Sequence, residues 1–180
     1  MAQGSFISDI KELRQRARKH MENGAITEGY KVDRETALKL LNEALATETV
    51  CVLRYKHHYY AAQGIHSEGV KAEFLAHANE EQQHADQIAE RITQLGGTPN
   101  LNPDGMLTSS HSEYVEGDNL VDMIKENLVA ERIAIESYAE MIRFFGDGDP
   151  TSRRLMEEIL AKEEEHANDL RDLLHKVDTH

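Results

Sequence analysis

Residues 41–55 read LNEALATETVCVLRY, and residues 124–138 read IKENLVAERIAIESY. Aligned without a gap, they match at Glu43 and Glu126, Leu45 and Leu128, Glu48 and Glu131, and Tyr55 and Tyr138, at an offset of 83 residues. A second pair follows at an offset of 82, with residues 81–88 (EQQHADQI) beside 163–170 (EEEHANDL). There Glu81 falls on Glu163, His84 on His166 and Ala85 on Ala167. Each half of the chain thus carries a Glu, a Tyr two turns later, and a Glu-x-x-His further on. A repeat of this kind points to one structural unit used twice.

Working outward, four long segments carry the 3–4 spacing of helices that bury one face. The first spans about 34–63, with Leu41, Leu45, Val52, Tyr55, Tyr59 and Ala62 on one seam. The second spans 68–95, with Phe74, Ile88, Ile92 and Leu95 inward. The third spans 119–145, with Leu120, Ile124, Leu128, Ile135, Tyr138, Ile142 and Phe145 inward. The fourth spans 151–177, with Leu155, Ile159, Leu170, Leu174 and Val177 inward. Short Gly-containing turns at 63–67 and 146–150 make the flanking helices antiparallel neighbours. Asp118 and Asp149 are placed to cap helix starts, and Pro150 suits a first helical position. The stretch 96–117 is different, with Pro99, Pro103, Gly105 and a run of Ser and Thr. An extended chain covers roughly 3.3 Å per residue, so this stretch can run the length of a bundle. The second and third helices then lie parallel, and the expected fold is an all-α, up-down-down-up four-helix bundle. Residues 1–33 form an N-terminal extension, with a short helix expected over 6–23, ahead of a bundle domain over 34–180.

Polar residues interrupt these seams at particular places. Glu48 falls between Leu45 and Val52, and Glu131 between Leu128 and Ile135. Glu81 and His84 sit between Phe74 and Ile88, and Glu163 and His166 between Ile159 and Leu170. Residues at i and i+3 share a helix face, so each Glu-x-x-His pair can reach one ion. Four buried carboxylates repel one another and each costs several kcal/mol to desolvate if unpaired. No Lys or Arg falls on the seams to neutralise them. Two divalent cations would, with neutral imidazoles completing the shells, and a set rich in oxygen with two His favours iron or manganese over structural zinc.

With 33 acidic and 20 basic residues among 180, the net charge is −13, which attracts cations and disfavours nucleic acid over most of the surface. The basic excess is confined to residues 1–34, where seven basic residues face five acidic ones. A helix packed on the rest of the protein is therefore expected there ahead of a DNA contact. Cys51 is the single cysteine, which excludes an intramolecular disulfide and a thiol-rich metal site; it reads as a small core residue. No apolar run reaches the length of a membrane span and no apolar signal region opens the chain, so a cytoplasmic protein is expected. His57, His58, His66, His111, His175 and His180 read as surface; His77, one turn before Glu81 on the same face, reads as a surface or satisfied histidine, with an entry or supporting role beside the site as the alternative.

On the repeated ligand pattern, and on 80–100 (EEQQHADQIAERITQLGGTPN), the chain resembles bacterioferritin and its Dps-like relatives across residues 35–177. The resemblance implies an intrasubunit di-iron centre with Glu48, Glu81, His84, Glu131, Glu163 and His166 as ligands. Glu81 and Glu163 would bridge, while Glu48 with His84 and Glu131 with His166 would be terminal. Tyr55 would be the near-site tyrosine, an electron donor during oxidation. The implied activity is a ferroxidase that oxidises Fe(II) with peroxide or dioxygen and stores Fe(III) in a homo-oligomeric cage. Where bacterioferritins carry a haem-ligating Met after the first bridging Glu, this chain has Gln82, so haem is not expected. Only fourteen residues follow His166, which leaves no fifth helix and favours twelve subunits over 24. Three alternatives remain: a haem-bearing 24-subunit bacterioferritin, marked by a Soret band; a di-manganese catalase, marked by oxygen evolution from peroxide; and a non-enzymatic DNA-protecting shell, which calls for a longer basic tail.

Overall fold

The computed structural model describes residues 9–64 and 67–178. Among these the regular structure is entirely helical, in the order α1 (Ile10–Arg16), a 3-10 turn (Met21–Asn23), α2 (Arg34–Ala61), α3 (Ser67–Gln94), α4 (Met106–Ser109), α5 (Leu120–Phe145) and α6 (Pro150–Asp178). The four long helices follow the periodic segments, with ends shifted by one or two residues. Caps set the starts. Asp33 accepts from the Thr36 amide at 2.9 Å, and Asp149 accepts from the Ser152 amide at 2.9 Å, with Pro150 opening α6. At α5 the cap is Asn119 rather than Asp118: its side chain accepts from the Asp122 amide at 3.1 Å. In the N-terminal extension the helix expected over 6–23 is shorter and broken, and residues 6–8 of it lie outside the described residues.

The direction of each helix follows from the crossover. Between α3 and α5 the chain is tied to α2 at successive heights. The Asn100 amide donates to Asn42 and the His111 amide to Thr47. Further on, Arg54 donates to the Glu113 carbonyl, and His58 pairs with the Val115 carbonyl. The crossover therefore ascends alongside α2, and α5 starts where α2 ends. Both α3 and α5 descend, which is the up-down-down-up arrangement. α2 packs chiefly on α3, and α5 on α6. At the base of α3, Gly96 takes a positive φ of 71° beneath the Arg34 side chain, which a Cβ would meet at 2.2 Å; Arg34 Nε donates from there to the Leu95 carbonyl.

The core divides into two apolar clusters. One contains Leu41, Leu45, Ile88, Ile92, Tyr138, Phe145, Met156 and Ile159. The other contains Tyr55, Phe74, Ala78, Ile124 and Leu170. The polar residues of the repeat lie between them. On α5 the buried face is rotated from the expected seam: Asn127, Ala134 and Met141 are buried, while Leu128, Ile135 and Ile142 are only partly so. Leu128 and Ile135 instead line a surface groove of about 1150 Å³ together with Val129, Ile133 and Phe144. Arg54 and Arg91 are both buried, away from the apolar seams. Neither neutralises the glutamates: Arg54 is held by Asn127, Glu113 and Cys51, and Arg91 by Ser152 and Asp149.

Candidate metal centre

All four long helices contribute to the site: Glu48 from α2, Glu81 and His84 from α3, Glu131 from α5, Glu163 and His166 from α6. The helical registers aim them at one volume, and five of the six are no more than 1% exposed, His84 reaching 7%. They fall into two groups of four, Glu48–Glu81–His84–Glu163 and Glu81–Glu131–Glu163–His166. Within each group one donor atom per residue lies within 4.8 Å of the others, a span suited to the first shell of one ion. Glu81 and Glu163 belong to both groups. Each group is three carboxylates and one imidazole.

Hydrogen bonding explains the orientation of the outer ligands. Tyr55 donates its hydroxyl to Glu131 Oε1, and Tyr138 donates to Glu48 Oε1. The repeat is therefore crossed: the tyrosine of each half fixes the outer glutamate of the other. Burial holds both phenols far above their usual pKa, so both keep the proton they donate. On α6, His166 Nε2 pairs with Glu80 Oε2 at 2.5 Å. That contact fixes the ring by Nε2 and turns Nδ1 toward Glu81 Oε1 at 3.4 Å and Glu163 Oε2 at 3.6 Å, as a metal-ligating histidine is held by its second nitrogen. His84 Nδ1 lies 3.0 Å from Glu163, 3.3 Å from Glu81 and 3.4 Å from Glu48.

The atoms left over point to a cation. Glu48 Oε2, Glu81 Oε1, Glu131 Oε2, both Glu163 oxygens and His166 Nδ1 are buried with no hydrogen-bond partner. Burial and the facing Glu81 carboxylate push Glu48 well above the usual carboxylate range. Burial, with Glu48 and Glu131 opposite, lifts Glu163 to about 8. Burial also works on Glu131, but the facing His166 imidazole, with its nearest nitrogen 3.9 Å away, and the hydrogen bond from Tyr55 overcome it and hold this carboxyl low. At His84 burial disfavours the imidazolium, yet the surrounding Glu163, Glu48 and Glu81 raise it to about 12, and His166 moves the same way. Protons on the imidazoles thus offset part of the charge of four carboxylates. Buried hard oxygens without partners, beside two imidazoles, fit two divalent cations.

Several further residues adjoin the site, and for His77 the structure favours the alternative beside the site over a surface position. His77 is buried, with Nδ1 3.1 Å from Tyr55 Oη and its ring stacked on His166 at 4.0 Å. His58, expected at the surface, is fully buried and bonded to Asn127 and the Val115 carbonyl. Its burial lowers its pKa to about 4. Tyr138 reads in sequence as ordinary aromatic core. Among the described histidines, His57 and His111 sit at the periphery; His66 and His180 lie outside the described residues. Cys51 is buried against Arg54 Nη2 at 3.4 Å.

The fold is shared with known proteins. The chain is 33% identical to a bacterioferritin-related protein from Bacteroides fragilis, described as a dodecameric thioferritin, whose structure matches with a TM-score of 0.80 over 83% of this chain and 90% of that one. It is 30% identical over 156 residues to a DNA protection during starvation protein of Pyrococcus furiosus, covering 84% of each. It is 27% identical over 140 residues to a bacterioferritin of Desulfovibrio desulfuricans, covering 77% of this chain and 74% of that protein. A family profile for the ferritin-like domain matches residues 38–179, and the chain belongs to the ferritin family.

Proposed function

We propose that this protein is a ferroxidase and iron store, and that Glu48, Glu81, His84, Glu131, Glu163 and His166 hold two Fe(II) ions as its substrate. The observation that carries this reading is the pair of four-donor groups sharing Glu81 and Glu163, with their oxygens orphaned in the core. The two shared glutamates would bridge, and Glu48 with His84 and Glu131 with His166 would be terminal. Each Fe(II) gives up one electron. Hydrogen peroxide takes the two electrons with two protons and leaves as two waters; dioxygen takes them with two protons and leaves as hydrogen peroxide. Tyr55 and Tyr138 hold the terminal carboxylates by their hydroxyls, and Tyr55 would supply the second electron, becoming a tyrosyl radical, where peroxide meets a single Fe(II). Glu80 keeps the His166 tautomer that offers Nδ1 to the metal.

The Fe(III) product would pass into a homo-oligomeric cage. The dodecameric Bacteroides fragilis relative supports twelve subunits, and the apolar groove on α5 offers another copy a surface to cover. No helix among the described residues is long and apolar enough to cross a membrane, in keeping with a cytoplasmic store. Gln82 is exposed and bonded to Asp86 at 3.0 Å, and it offers no thioether to a haem.

Anaerobic loading with Fe(II), followed by separate additions of dioxygen and peroxide while Fe(III) absorbance is recorded, tests the proposal. Two Fe(II) per subunit oxidised quickly by peroxide and slowly by dioxygen would make it a detoxifying ferroxidase. Fast oxidation by dioxygen would put storage first. Oxidation no faster than without protein, with either oxidant, would overturn the reading.

A further inference from the structure

His77 has two nitrogens, and the site described above uses one. Tyr55 carries a single hydroxyl proton and donates it to Glu131. Its oxygen must therefore accept from His77 Nδ1, 3.1 Å away, which places the His77 proton on Nδ1 and leaves Nε2 a bare lone pair. That Nε2 is buried and no donor reaches it. The charged atoms nearest it are Glu73 Oε1 at 3.7 Å, from α3, and Asp169 Oδ2 at 3.8 Å, from α6. Three acceptors converge, and among the described residues no protein donor reaches the buried nitrogen. His77 itself is 2% exposed, whereas the Glu73 and Asp169 side chains are 38% and 45% exposed. The cluster thus opens to solvent on one side. On the other, the His77 ring stacks on His166, so a single imidazole separates it from the paired centre.

We infer that His77 Nε2, Glu73 and Asp169 form a third divalent-cation site on the α3–α6 face, a relay between solvent and the paired centre. The relay role, though not the site, rests on the function proposed above. One nitrogen and two carboxylates suit the same hard cations as the centre. Only three protein donors are available, so the remaining positions belong to water, and such a site exchanges its ion faster than the fully enclosed centre.

Crystals of the full chain loaded with Zn(II), a redox-inactive probe, would locate each site by anomalous diffraction at the zinc edge. The expected result is a peak at bonding distance from His77 Nε2 in addition to two at the centre. In the E73Q/D169N double variant that peak disappears and the centre pair persists; both substitutions are half-exposed and keep the side-chain volume. Peaks at the centre with none beside His77 would overturn the third site alone. A peak beside His77 without the centre pair would uphold it while sinking the ferroxidase centre. For the relay, stopped-flow uptake of Co(II), read by its visible absorption, should slow by roughly tenfold in E73Q/D169N and reach the same final occupancy of the centre. An unchanged uptake rate would overturn the relay.

Discussion

Two buried polar clusters both draw on α2 and α5, where Asn127 of one lies a helical turn from Glu131 of the other, and they are built on opposite terms. In the Arg54 network each named contact has a partner: Arg54 donates to Asn127 Oδ1 and to the Glu113 carbonyl, Asn127 donates to His58 Nδ1, and His58 Nε2 donates to the Val115 carbonyl. In the carboxylate cluster five glutamate oxygens and one histidine nitrogen have none. Buried polar groups are ordinarily satisfied, because an orphan carries its full desolvation cost. The first cluster therefore reads as architecture, pinning the crossover to α2 and α5. The second is complete only with a ligand. Burial and charge alone do not distinguish them; the state of the lone pairs does.

That contrast breaks most readily at the shared glutamates. Glu81→Ala or Glu163→Ala should slow Fe(II) oxidation on the order of 1,000-fold and leave the metal-free protein as stable or more so, because a repelling charge is removed. Stopped-flow absorbance and a thermal melt at fixed protein concentration check both halves, and unchanged rates in both variants would refute the assignment. Arg54→Ala should do the reverse: it orphans Asn127 Oδ1 and the Glu113 carbonyl, and should cost about 3 kcal/mol in urea unfolding while oxidation per folded subunit persists. A cost within the noise of a surface substitution would mean the network is not structural.

A third expectation concerns pH. Burial keeps His58 neutral down to about 4, whereas the unfolded chain protonates it near 6.5. Between those values the unfolded state binds the extra proton, so stability falls as pH drops through this window, by about 2 kcal/mol for this one group. His58→Gln, which retains a donor and an acceptor, should flatten that decline in unfolding midpoints measured from pH 6.5 to 4. An identical slope in both proteins would remove His58 from the acid response. The smallest effect tests the crossed pairing: Tyr55→Phe and Tyr138→Phe should each slow oxidation by roughly tenfold, with similar size because each frees one terminal glutamate. A large effect at Tyr55 alone would single it out as an electron donor.

Much of this was legible in residue order. The repeat with its 3–4 spacing located four helices, and the glutamates and histidines breaking the apolar seams are those the fold gathers. What escaped did so for identifiable reasons. Asn119 took the cap expected of Asp118 because both residue types serve and only the chain path chooses between them. On α5 the seam drawn through Leu128, Ile135 and Ile142 assumed that large apolar residues face the core; the bundle buries Asn127, Ala134 and Met141 instead and leaves an apolar strip outside. Arg54, His58 and Asn127 are polar, so hydropathy places them outward, and only the returning crossover, 59 residues beyond Arg54 at Glu113, supplies the carbonyls that permit their burial.

The sequence by itself determined the periodicity, the turns and the residue types at each inward position, since these depend on neighbours within one helical turn. Tertiary structure alone decided which lone pairs were satisfied: that Tyr55 reaches Glu131 and Tyr138 reaches Glu48, that Glu80 holds His166 by Nε2, and that His77 turns its second nitrogen toward Glu73 and Asp169. Hydrogen bonding is directional and short in range, and its partners here stand on different helices, so no one-dimensional pattern records them.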